Sequence, residues 1–122
     1  MTPEEYTALD ATELARLVRE REVKPSELLE LAVDRIAEQN PSLNAVVYDM
    51  ADRARARIAN LPQGPLTGVP FLVKDLKLQI AGTPTSNSSR LTLATNATET
   101  SVLAQRYEAS GLQILGLSLI HI

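Results

Sequence analysis

The run Val69-Pro70-Phe71-Leu72-Val73, closed by Lys74-Asp75, constrains the fold more than any other stretch of this chain. Five apolar residues without polar alternation describe a strand covered on both faces, as in a sheet with helices on each side. In open sheets of that kind, ligands bind beyond the carboxyl ends of the strands, and Lys74 stands at such an end. A lysine stripped of hydration there has a lowered pKa and offers a neutral amine as proton acceptor. The competing reading is an ordinary ammonium that reaches water and pairs with Asp75. On these residues alone the second reading is favoured.

The flanking sequence supports an α/β chain. Asp10, with Glu13 three residues on, predicts a helix over 11–21. Pro25 suits a first helical position, and Leu28, Leu29, Ala32, Val33 and Ile36 form one apolar stripe. Asn40-Pro41 is expected to end that helix, because a residue before proline is pushed out of the helical region. A short strand over 45–48 and a helix over 50–60 follow, the latter rich in alanine and arginine. Leu61-Pro62-Gln63-Gly64-Pro65 is a turn. After Lys74-Asp75, Leu76-Lys77-Leu78-Gln79-Ile80 alternates as a half-exposed strand would, and Thr83 to Ser89 reads as a hydroxyl-rich loop. A helix over 99–110, capped by Thr98 or Thr100 and stopped at Gly111, leads to a strand over 112–115. Strand, helical crossover and strand in that order imply a right-handed parallel unit.

Composition excludes several functions. A net charge of -3 with no basic run argues against nucleic-acid binding. With no cysteine, thiolate metal sites, disulfides and a cysteine nucleophile are all ruled out. The acidic start lacks the pattern of a secretory signal, and no apolar run approaches the roughly 20 residues of a membrane span, so a cytoplasmic protein is expected. His121, the single histidine, has no partner cluster and is assigned no role as base or ligand.

The order Pro65-Leu66-Thr67-Gly68-Val69-Pro70, three apolar residues, Lys74-Asp75, then Gly82 and Pro84-Thr85 resembles the first catalytic block of the amidase signature enzymes. Asn40 to Ala45, and the passage from Ser110-Gly111 through an apolar strand to Gly116, are similar to further family segments. The family pattern continues with Gly-Ser where this chain has Ser88-Ser89, and with Lys-Thr-Asn where it has Leu117-Ser118-Leu119. The resemblance implies the N-terminal helical layer and first strands of a mixed, helix-covered sheet, truncated. Residues 1–116 are then expected to be the N-terminal part of a single amidase domain, with 117–122 a non-native tail. By the same resemblance, carbon-nitrogen bonds of a small-molecule amide are hydrolysed by a Ser-Ser-Lys triad. Lys74 matches its lysine, and both serines belong to a block absent from this chain. The chain alone is expected to be inactive, with no cofactor, metal, nucleic-acid or membrane partner. Within the family, Gly68 to Leu76 with Ser89-Arg90 is similar to 6-aminohexanoate-cyclic-dimer hydrolases. The glutamyl-tRNA amidotransferase A subunit is a competing branch, and a small non-catalytic binding module is the reading from another class.

Overall fold

The computed structural model describes residues 1–87, 89–92 and 95–119. Its first helix, α1 (Pro3–Ala8), is absent from the sequence reading although its signal is local. The Thr2 hydroxyl accepts the Glu5 N–H at 3.2 Å, and the Glu5 carboxylate accepts the Thr2 N–H at 2.7 Å, a reciprocal cap with Pro3 at the first position. In α2 (Ala11–Arg19) the expected cap is made, with Asp10 accepting the Glu13 N–H at 2.9 Å. α3 (Pro25–Leu43) does not stop at Asn40. Pro41 sits inside its last turn, where a missing N–H costs one hydrogen bond rather than a helix. The turn is held from outside: the Asn40 side chain donates to Val46 O at 2.9 Å and accepts the Val46 N–H at 2.8 Å. Asn44, at φ 49°, closes the helix by donating to Asn40 O at 2.7 Å.

From there the chain enters β1 (Val46–Asp49), α4 (Ala51–Arg57) and a 3₁₀ turn at Ile58–Asn60, then β2 (Pro70–Lys74), α5 (Val102–Ala109) and β3 (Gln113–Ser118). The cap of α5 is Ser101, whose hydroxyl accepts the Ala104 N–H, rather than Thr98 or Thr100. The three strands form one mixed sheet in the order β1-β3-β2, with β2 parallel and β1 antiparallel to β3. The parallel pair joined through α5 is the crossover unit expected, and the chain is of the α/β class.

One strand expectation holds in part and one is corrected. β2 is covered on both faces, Leu72 packing in one cluster and Val73 in the other. It lies at an edge of the described sheet, however, with Pro70, Phe71 and Leu72 half-buried, and the strand buried throughout is β3, from Gln113 to Leu117. Pro70 suits that edge, because proline cannot donate to a second ladder. Leu76 to Ile80 forms no strand. Lys77 takes a positive φ of 57° and Leu76 donates back to Lys74 O at 2.8 Å, so the chain turns where alternation predicted extension. β3 also continues through Leu117 and Ser118, which face Val73 and Lys74 in register, and Leu119 donates to Ala45 O at 2.8 Å.

Helices cover both faces of this sheet. Leu29 and Ala32 of α3, with Ala54 of α4, pack on Leu115 and Leu72. On the other face Val73, Ile114 and Leu117 meet Ala104, Met50 and Ile80. Leu14, Ala15 and Leu28 join Val69 and Leu112 at the end where β2 and β3 begin. Each buried leucine or isoleucine side chain stabilises by about 1.5–3 kcal/mol relative to exposure. No helix among the described residues is long and apolar enough to cross a membrane.

Charge pairs on the helical layer set the pH range. The Met1 amino group donates to Glu27 at 2.6 Å, which holds the Glu27 carboxyl below the usual carboxylate range and raises the amino group. The Arg16 guanidinium lowers Glu13, and that of Arg55 lowers Glu30. Lowered carboxylates contribute stability above their unfolded values, lost as pH falls through the folded ones; a raised amine contributes below its unfolded value, lost as pH rises through the folded one. The urea midpoint should therefore decline below about pH 4 and again above about pH 8. Acetylating Met1 should abolish the alkaline decline; an alkaline limb indifferent to acetylation would contradict the assignment.

Candidate active site

β2 delivers two neighbouring side chains to opposite environments. Lys74 is exposed, and Asp75 is 4% exposed. The Asp75 N–H extends the parallel ladder by donating to Ser118 O at 2.9 Å, so its position is fixed by the central strand. Its carboxylate is met by one loop. One oxygen accepts the Ser86 N–H at 2.7 Å and the Asn87 N–H at 3.4 Å, while the other accepts the Ser86 hydroxyl. Asn87, at φ 47°, returns the tie by accepting the Lys77 N–H at 2.9 Å.

The rest of the loop is anchored in the same manner. The Thr83 hydroxyl donates to the carbonyl of fully buried Ile80 at 2.8 Å, Gly82 donates to Ala97 O at 2.9 Å, and Ala97 to Thr83 O at 2.9 Å. The Thr92 hydroxyl donates to Ser86 O at 2.6 Å. The Thr83, Ser89 and Thr92 hydroxyls thus serve backbone turns, as the sequence reading expected of Thr83 to Ser89, whereas Ser86 is engaged with Asp75 through both its amide and its hydroxyl. Ser89 and Arg90 are exposed. Ser88 and His121 lie outside the described residues.

The pairing of Lys74 with Asp75 is not made. Asp75 is turned inward and occupied by the loop, and Lys74 carries no ion pair among the described residues. Nothing described here strips the amine of water either, so the desolvation weighed above is not supplied by these residues. Sequence reasoning placed Lys74 at the strand end but missed the Asp75–Ser86 clasp. An eleven-residue separation belongs to neither the helical nor the strand period, so no local pattern points to it. An apolar groove of about 420 Å³ between α3 and β2, walled by Ile36, Asn40, Leu43, Pro70, Phe71 and Leu72, excludes Lys74 and Asp75. The polar chemistry is at the end of β2, not in that groove. Among the described residues no cluster of histidine, aspartate or glutamate could hold a metal ion.

Known proteins share the sequence and the fold of this segment. The family model described as Amidase matches residues 27–121. The chain belongs to the amidase family. The 6-aminohexanoate-cyclic-dimer hydrolase of Paenarthrobacter ureafaciens is 36% identical to this amidase segment over 109 residues, covering 88% of the segment and 22% of that enzyme. An acylamidase of Rhodococcus erythropolis is 34% identical over 124 residues, covering 95% and 26% respectively. A solved 6-aminohexanoate cyclic dimer hydrolase with its substrate superposes on 90% of the segment and 23% of its own chain, with TM-score 0.84 and 34% identity. The amidase segment therefore spans about a quarter of the length of these relatives.

Proposed function

We propose that this chain is the part of an amide hydrolase that supplies the lysine of a Ser-Ser-Lys triad, with Lys74 as proton acceptor. The observation that carries the reading is the position of Lys74. It emerges at the carboxyl end of β2, exposed and with no ion pair among the described residues, next to Asp75, which the loop pins. The order of Gly68, Pro70, Lys74-Asp75 and Pro84-Thr85 in this segment follows the amidase signature. In this reaction the neutral Lys74 amine accepts a proton from one serine, which activates a second for attack on the amide carbonyl. The carbon-nitrogen bond breaks as the proton is returned to the leaving amine, and water then releases the acyl group. Both serines come from outside this chain, so the chain alone is inactive. Ser86 is no substitute, since its hydroxyl is committed to Asp75.

The substrate class that fits best is a small amide, with the cyclic dimer of 6-aminohexanoate first, because relatives with that activity are 36% identical to this chain. The test is a hybrid in which residues 1–119 replace the matching quarter of the Paenarthrobacter hydrolase. It is expected to open the cyclic dimer to the linear dimer, which carries a free carboxyl and a free amino group and is heavier by one water, read by mass spectrometry. A hybrid that melts cooperatively yet leaves cyclic and linear amides intact would refute the proposal.

A further inference from the structure

We propose that Asp75 is a positioning residue, which holds the segment 83–87 against the end of β2 and keeps its own carboxylate away from the Lys74 amine. The inference rests on the reading of Lys74 as the reactive group and adds a role for its neighbour. A carboxylate beside a lysine favours the charged ammonium, which is the wrong form for a base. Here strand alternation already separates the two, with Lys74 outward and Asp75 at 4% exposure.

A carboxylate buried to that degree requires donors, and among the described residues these come from Ser86 and Asn87. Its backbone is tied to Ser118 on the central strand, so Asp75 links that strand to the loop directly. Asn87 then fixes Lys77, three residues beyond Lys74, so the segment that follows Lys74 is clasped to the loop at both Asp75 and Lys77. The clasp uses the charge that would otherwise attract Lys74.

The test is site-resolved amide exchange on the 122-residue chain, with the Lys74 side-chain resonances followed in the same samples. Asp75→Asn is expected to speed exchange at Ser86 and Asn87 by about tenfold or more, the scale of a lost hydrogen bond to a charged group. It should also shift the Lys74 resonances and leave the amides of β3 protected. Ser86→Ala should produce part of the same change and Ser86→Thr should restore it. Unchanged exchange in Asp75→Asn, an equal loss throughout β3, or unmoved Lys74 resonances would each overturn the assignment. If Asp75→Asn fails to fold, the serine pair decides, and equal exchange in Ser86→Ala and Ser86→Thr would overturn it. Lys74→Ala should leave the clasp intact, so the exchange result stands or falls independently of whether Lys74 is needed for hydrolysis.

Discussion

Replacing Lys74 by alanine in the hybrid enzyme should lower kcat by about a thousandfold or more, with KM changed little. A positioned proton acceptor contributes roughly 10²–10⁴ in rate. Members of a triad act as a unit, so removal of one forfeits most of the joint effect. Stability should not fall with activity: Lys74 is exposed and carries no ion pair among the described residues, so its truncation disturbs no core contact. Lys74→Arg keeps the charge and length but cannot lose its proton, and should be as inactive as alanine. Steady-state kinetics with a thermal melt of each variant checks this. An active arginine variant would turn Lys74 into an electrostatic group rather than a base.

Gly111→Ala should cost about 3 kcal/mol or more, the largest effect on stability outside the large core side chains. A Cβ built on Gly111 would lie 2.5 Å from Thr67 Cα and Oγ1 and 2.8 Å from Thr67 N, and the Cα and N are backbone atoms that cannot swing aside. Its φ of +91° is also a conformation that costs a side-chain-bearing residue roughly 1–2 kcal/mol, and forced overpacking adds about 1–3 kcal/mol. The closeness has a structural purpose. Gly68 donates to Gly111 O and Leu66 to Ser110 O, both at 2.9 Å, which docks the turn before β2 on the turn before β3 and sets their parallel register. Gly82→Ala is the control, with φ +83° but nothing within 4 Å of the added carbon. It should cost about 1–2 kcal/mol from backbone strain alone. Urea midpoints of the two variants that fall together would mean that the approach to Thr67 is not the constraint.

What was legible in the sequence is what local chemistry determines. The stripe of α3, the cap at Asp10, the β2–α5–β3 crossover and the lysine at the end of β2 each rest on a period or a neighbouring residue, and each appears in the fold. Apart from α1 and the cap of α5, whose signals are local, the failures involve partners outside the element concerned. Whether β2 or β3 is central depends on β1 pairing with β3 across some 70 residues, which composition does not encode. α3 passes Pro41 because Asn40 is held by Val46, and the apparent strand at Leu76 to Ile80 bends because Asn87 holds Lys77. At the site, Lys74 was visible because it interrupts an apolar run. Asp75 was visible too, but as the partner of Lys74; its burial and its donors depend on where the loop returns.

Hydrolysis of the cyclic dimer measured in parallel on the isolated chain, on the hybrid and on the hybrid carrying Lys74→Ala tests the account most directly. It predicts an inactive chain, an active hybrid, and a folded Lys74→Ala hybrid without turnover above background. Hydrolysis by the chain alone, or turnover by the Lys74→Ala hybrid equal to that of its parent, would contradict the claim that this segment contributes the base to a site completed elsewhere.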